Sequence, residues 1–118
     1  MNDAPAVSDD DFNALLELLD AATMCEVVQL FVSSAPTRFE SARSGVASTD
    51  GARVATAFHT LRSGCGQLGA RRLETMCAHG EREAKHGDLT AAASLLADAE
   101  REFARCREWF AAGGWLDG

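Results

Sequence analysis

His59 stands in a stretch whose residue types suit phosphoryl chemistry. Residues 51–73 contain no acid but four arginines: Arg53, Arg62, Arg71 and Arg72. A solvent-facing neutral imidazole is a competent nucleophile near neutral pH. Arg62 follows three residues later, one helical turn away, where a guanidinium can steady phosphoryl oxygens. The other neighbours predicted to share this face (Ala55, Thr56, Ser63 and Gly66) are all small. Small side chains let a partner's phosphorylated carboxylate come within the near-contact distance that in-line transfer needs. These four residues are therefore assigned to a partner-docking surface. The plain alternative is that His59 is one more surface residue.

A helix must carry this arrangement. Val54, Phe58, Leu61, Cys65 and Leu68 recur at three–four spacing from a start near Asp50 to a stop at Gly69. On a wheel of about 100° per residue, His59 falls roughly 140° from the centre of that apolar arc. Gly64 and Gly66 inside a helical pattern each cost about 1 kcal/mol relative to Ala, which implies close approach by something, a partner or a neighbouring helix.

The remaining chain is helical too. Phe12, Leu15, Leu16 and Leu19 form a short first stripe, with Ser8 and the following acids as its start signal. Val28, Val32, Ala35, Phe39, Ala42 and Val46 form a longer one, in which Pro36 predicts a kink or a lost hydrogen bond. Leu73, Cys77, Gly80 and Ala84 mark a fourth helix ending at Gly87. Asp88 then caps a fifth carrying Ala92, Leu96, Ala99, Phe103, Cys106 and Phe110. Together they predict an all-α fold, an antiparallel up-down-up-down four-helix bundle with a short N-terminal capping helix. Residues 1–7 are expected to be disordered, 8–113 to form the bundle, and 114–118 to be a C-terminal tail.

Composition narrows the function. The net charge of −7 is concentrated in residues 1–37, which hold seven acids and no Lys or Arg. An acidic chain with one locally basic segment does not suit nucleic acid. No stretch approaches the roughly 20 apolar residues of a membrane span, and the N-terminus does not read as a signal peptide, so a cytoplasmic protein is expected. Cys25, Cys65, Cys77 and Cys106 are widely spaced at apolar helical positions and read as buried reduced thiols. Gly64-Cys65-Gly66-Gln67-Leu68-Gly69 has the GxGxxG spacing, but it lies within a helix with no strand before it, so it is not a dinucleotide fingerprint. Cys77, His79, Glu81 and Glu83 lack the spacing of a metal site, and no metal is expected. Glu81–Lys85 and Glu100–Arg107 read as solvated faces with local ion pairs. Trp109 and Trp115 are placed to pack the end of the bundle.

The run His59-Thr60-Leu61-Arg62-Ser63-Gly64-Cys65-Gly66-Gln67-Leu68-Gly69-Ala70 resembles the signature of the histidine-containing phosphotransfer (HPt) family. That signature is His-x-Leu-Lys-Gly-Ser-(small)-x-x-(Leu/Ile)-Gly-Ala. Leu73 and Met76-Cys77 resemble the family's next helix, and Phe31 with its stripe the one before, so the likeness spans roughly residues 8–112. It implies a phosphorelay carrier without kinase activity of its own. His59 would accept a phosphoryl group from a receiver-domain aspartate and pass it to another receiver. Arg62 would stand where the family has Lys, and Gln67 near where a polar side chain often orients the imidazole or the phosphate. Ser63 stands at the family's Gly and Gly64 at its Ser. The implied partners are receiver domains of response regulators and of a hybrid sensor kinase, met by a monomer. No cofactor of its own is implied, since Mg²⁺ belongs to the receiver. The alternative is an HPt-like docking module that binds a response regulator without being phosphorylated.

Overall fold

The computed structural model describes residues 4–117. Five helices follow one another: α1 (Asp9–Leu18), α2 (Ala21–Ala47), α3 (Gly51–Leu68), α4 (Arg71–Lys85) and α5 (Leu89–Ala112). No strand occurs among the described residues. The links from α2 to α5 are so short that each helix must double back beside its predecessor, which gives the antiparallel bundle. The start signals read from the sequence are real caps. Ser8, Asp50 and Asp88 each accept a hydrogen bond from the backbone N–H three residues on, and Asp20, which the sequence reading did not single out, caps α2 in the same way.

Gly69 ends α3 at φ 81°, a left-handed conformation that glycine adopts without penalty. Its carbonyl accepts from the Ser8 N–H at 2.9 Å, and a Cβ there would meet the Asp11 side chain at 2.8 Å. One residue thus stops the helix and seats α1 against it, and the Arg71–Asp11 ion pair closes the same junction. Phe12 of α1 packs edge-on to Trp109 and Trp115, at centroid distances of 5.1 and 5.2 Å. Phe58, Phe110, Met24, Leu68 and Leu73 are fully buried at the centre.

The chain ends depart from the sequence reading. Disorder was expected over residues 1–7. Residues 1–3 lie outside the described residues, but Ala6 and Val7 are buried, because the segment crosses α5 and Arg105 donates to the Ala4 carbonyl at 2.9 Å. Nor are residues 114–117 simply a tail, since Trp115 and Leu116 pack on the core. α2 continues unbroken through Pro36, which sits on the exposed side of the helix. The carbonyl left without an amide donor there can turn to water.

Cys65, Cys77 and Cys106 are buried free thiols, whereas Cys25 is only half-buried and donates to the Trp115 carbonyl. A hydrogen bond with Cys77, and then burial, pushes the Cys65 thiol up, and burial pushes Cys106 up to about 12. Such thiols act as small hydrophobes.

Candidate functional site

The site begins with two adjacent pairs of residues on α3 and α4. Gly80 faces the ring of Phe58 so closely that a Cβ would stand 2.5 Å from it. The missing side chain brings α4 against α3. The next residue on each helix then meets its counterpart: the Glu81 Oε2 lies 3.2 Å from His59 Nδ1. Gly64 has a comparable role on the other side of α3, where the ring of Phe31 from α2 fills the Cβ position. At Gly64, then, the close approach is made by a neighbouring helix.

His59 keeps 57% of its side chain exposed, while Glu81 keeps 9%. Glu81 gathers two cations as well. Arg62 Nη2 lies 3.3 Å from Oε1, and Lys85 Nζ lies 3.0 Å from Oε2. Burial raises the Glu81 carboxyl, but the Lys85 hydrogen bond and the charges of Arg62, Lys85 and His59 outweigh it and hold the group below its usual 4.5. Glu81 is therefore an ionised acceptor at neutral pH.

That ionisation decides the tautomer. Arg62 Nη2 also stands 3.2 Å from His59 Nδ1, and both nitrogens are potential donors. A carboxylate can only accept, so Nδ1 carries the proton and donates to Glu81, while Arg62 serves the other carboxylate oxygen. Nε2 is left with the lone pair and has no hydrogen-bond partner among the described residues.

The surround of the imidazole is small and occupied with its own helix. Thr56 donates to the Ala52 carbonyl at 2.9 Å, Thr60 to Thr56 at 3.1 Å and Ser63 to His59 at 3.3 Å. These hydroxyls fold back on α3 and do not reach across the ring. Of the residues expected to form a docking surface, Thr56, Ser63 and Gly66 are exposed. Ala55 is not: it is 6% exposed and belongs to the core. Its position at i−4 from His59 lies on the side of α3 that turns under a neighbouring helix, so it is removed from the docking face. Gln67 is exposed and lines a groove of about 230 Å³ between α2 and α3. It stands eight residues from His59, about 12 Å along the helix, and no hydrogen bond joins it to the imidazole.

Glu81 and Lys85 were missed as site residues because charged stretches normally solvate. The stripe of α4 held the signal. Glu81 lies four residues after Cys77 and three before Ala84, an acid in the register of buried positions. Glu102 is the parallel case on α5, also buried where a solvated face was expected.

Residues 26–109 match the Hpt domain family. The chain belongs to the Hpt family. Among solved structures, this Hpt chain is similar to the crystal structure of histidine-containing phosphotransfer protein B (HptB) from Pseudomonas aeruginosa PAO1. The identity is 26% and the TM-score 0.88, over 93% of this chain and 95% of that one. No curated protein sequence gives a match. The described helices of the Hpt chain include none long and apolar enough to cross a membrane, and no cluster among the described residues could hold a metal ion.

Proposed function

We propose that this Hpt chain is a phosphorelay carrier that takes a phosphoryl group on Nε2 of His59 from a receiver-domain aspartyl phosphate and returns it to the aspartate of another receiver. The observation that supports this most is the buried, ionised Glu81 holding Nδ1–H of a largely exposed imidazole. The Nε2 lone pair attacks phosphorus in line, the N–P bond forms, and the P–O bond to the receiver's aspartate breaks with that carboxylate as leaving group. The positive charge that develops on the ring is stabilised by Glu81, and Arg62 meets the phosphoryl oxygens. Return transfer reverses these steps. The receiver supplies Mg²⁺ and the catalytic carboxylates, and the Hpt chain contributes no ATP chemistry.

The docking face has an apolar margin suited to a receiver. Leu30 is 68% exposed, and with Phe31, Thr60 and Gly64 it lines the groove between α2 and α3 beside the His59 face. Other large apolar side chains are mostly spent inside the bundle, which supports a monomer that meets its partners through this face.

Intact-mass analysis after incubation with phosphoramidate at neutral to alkaline pH tests the proposal. Wild type gains one phosphoryl group, and His59→Gln gains none while keeping its helical content. Label retained in His59→Gln would remove His59 from the role. No label in either protein would favour the docking module.

A further inference from the structure

Lys85 lies in the last turn of α4, one turn beyond Glu81, and its Nζ stands 3.0 Å from Oε2. That is the same oxygen that receives His59 Nδ1–H at 3.2 Å. A carboxylate oxygen shared between two donors binds each less strongly than it would bind one alone. From α3, the charged or titratable groups paired with Glu81 are His59 and Arg62, and from α4 itself Lys85. Among the described residues, α2 and α5 place none in ion-pairing contact with it.

The charge count makes Lys85 consequential. With Lys85 present, Glu81 is opposed by two cations, and the site surrounding the imidazole carries a net positive charge. Without Lys85, one anion and one cation remain, and a second proton on His59 becomes easier to add. A protonated imidazole has no lone pair at Nε2 and cannot attack phosphorus.

We propose that Lys85 is a positioning residue for phosphoryl acceptance: by sharing Oε2 of Glu81 with His59, it moderates that carboxylate so that the imidazole is oriented through Nδ1–H yet stays neutral. This rests on the carrier function proposed for His59. Lys85 touches neither the attacking nitrogen nor the incoming group, and its side chain is 64% exposed, so its contribution to folding is small. Its effect is read in the pH dependence of the site.

The test compares wild type, Lys85→Gln and Lys85→Arg, each as the full chain. Phosphoramidate labelling rates are followed from pH 5.5 to 8.5, and the His59 ring nitrogens by ¹⁵N NMR over the same range. In Lys85→Gln the acidic limb of the labelling profile moves to higher pH by about half a unit, so labelling on that limb falls about threefold. The plateau rate and the Nδ1–H tautomer are retained, and Lys85→Arg restores the wild-type limb. Superimposable profiles for wild type and Lys85→Gln overturn the proposal, as does a Lys85→Arg variant that behaves like Lys85→Gln. The NMR titration reads the same displacement with no phosphoryl donor present. A wild type that takes no label therefore overturns the carrier function, while the influence of Lys85 on the imidazole stands or falls on the NMR displacement.

Discussion

Glu81 on α4 and Glu102 on α5 are the two buried acids among the described residues, and each is ion-paired to two cations. Around Glu102 one of the two cations, Arg72, is turned partly inward, while the other, Arg105, is exposed. Arg72 Nε lies 3.5 Å from its Oε1 and Arg105 Nη1 2.9 Å, and Nε and Nη1 of Arg72 are buried without a hydrogen bond. Arg105 also reaches the Ala4 carbonyl, so this cluster fastens the N-terminal segment to the bundle. Around Glu81 the cations are Arg62 and Lys85, both on the surface, and a third partner, His59, opens to solvent. The same acid on the same kind of helical stripe is therefore structural in one place and suited to chemistry in the other. The difference lies in what stands between the carboxylate and water.

Three substitutions sharpen that contrast. The largest change in stability is expected for Glu102→Ala, which leaves the buried Nε and Nη1 of Arg72 without a counter-ion. Breaking such a pair costs about 3 kcal/mol, which lowers Tm by roughly 10 °C in a domain of this size. Thermal unfolding measures the loss, and phosphoramidate labelling of His59 below the transition should match wild type. Labelling that fell along with stability would mean the two clusters are coupled.

Glu81→Gln should show the opposite pattern. Arg62 and Lys85 are exposed enough to be solvated once the carboxylate is gone, so the stability change stays at about 1 kcal/mol or less. Labelling should slow about tenfold, the loss of one orienting charge-assisted hydrogen bond worth roughly 1.4 kcal/mol. The variant also carries a pH signature. The Glu81 carboxyl is lowered from 4.5 in the folded chain. Its stabilising contribution is thus present above pH 4.5 and is lost as pH falls through the lower folded value. Glu81→Gln removes that part of the acid sensitivity, which urea unfolding at pH 3 to 6 will reveal. Unchanged labelling would return Glu81 to a structural role like that of Glu102.

The smallest effect is expected for Arg62→Ala. Folding should change by no more than about 0.5 kcal/mol, as for an exposed side chain. Phosphohistidine lifetime or labelling rate should fall about threefold from loss of one cation near the phosphoryl oxygens. A stability loss with unchanged phosphoryl chemistry would assign Arg62 to holding α3 against α4.

Much of the molecule was legible in the order of its residues. Apolar repeats at three–four spacing, the caps Ser8, Asp50 and Asp88, and the stops at Gly69 and Gly87 are local signals. A helix needs only its own residues to set its period and its ends. The outward placement of His59 follows from the same period, because a wheel fixes which side of α3 is opposite the apolar arc. The acid-free interval around it and the small residues Thr56, Ser63 and Gly66 are likewise readable one position at a time.

What the tertiary structure decided is what His59 faces across the helix boundary. Glu81 is 22 residues away in the chain, and its place in the register of the α4 stripe marks it for burial without saying which side chain it will meet. Only the contact of Gly80 with the ring of Phe58 sets α4 close enough for that carboxylate to reach Nδ1 and choose the tautomer. Burial of Ala55 and the inward turn of Ala6 and Val7 have the same origin. Helical period states which residues share a face, but which face is covered, and by what, is fixed by packing between helices distant in sequence.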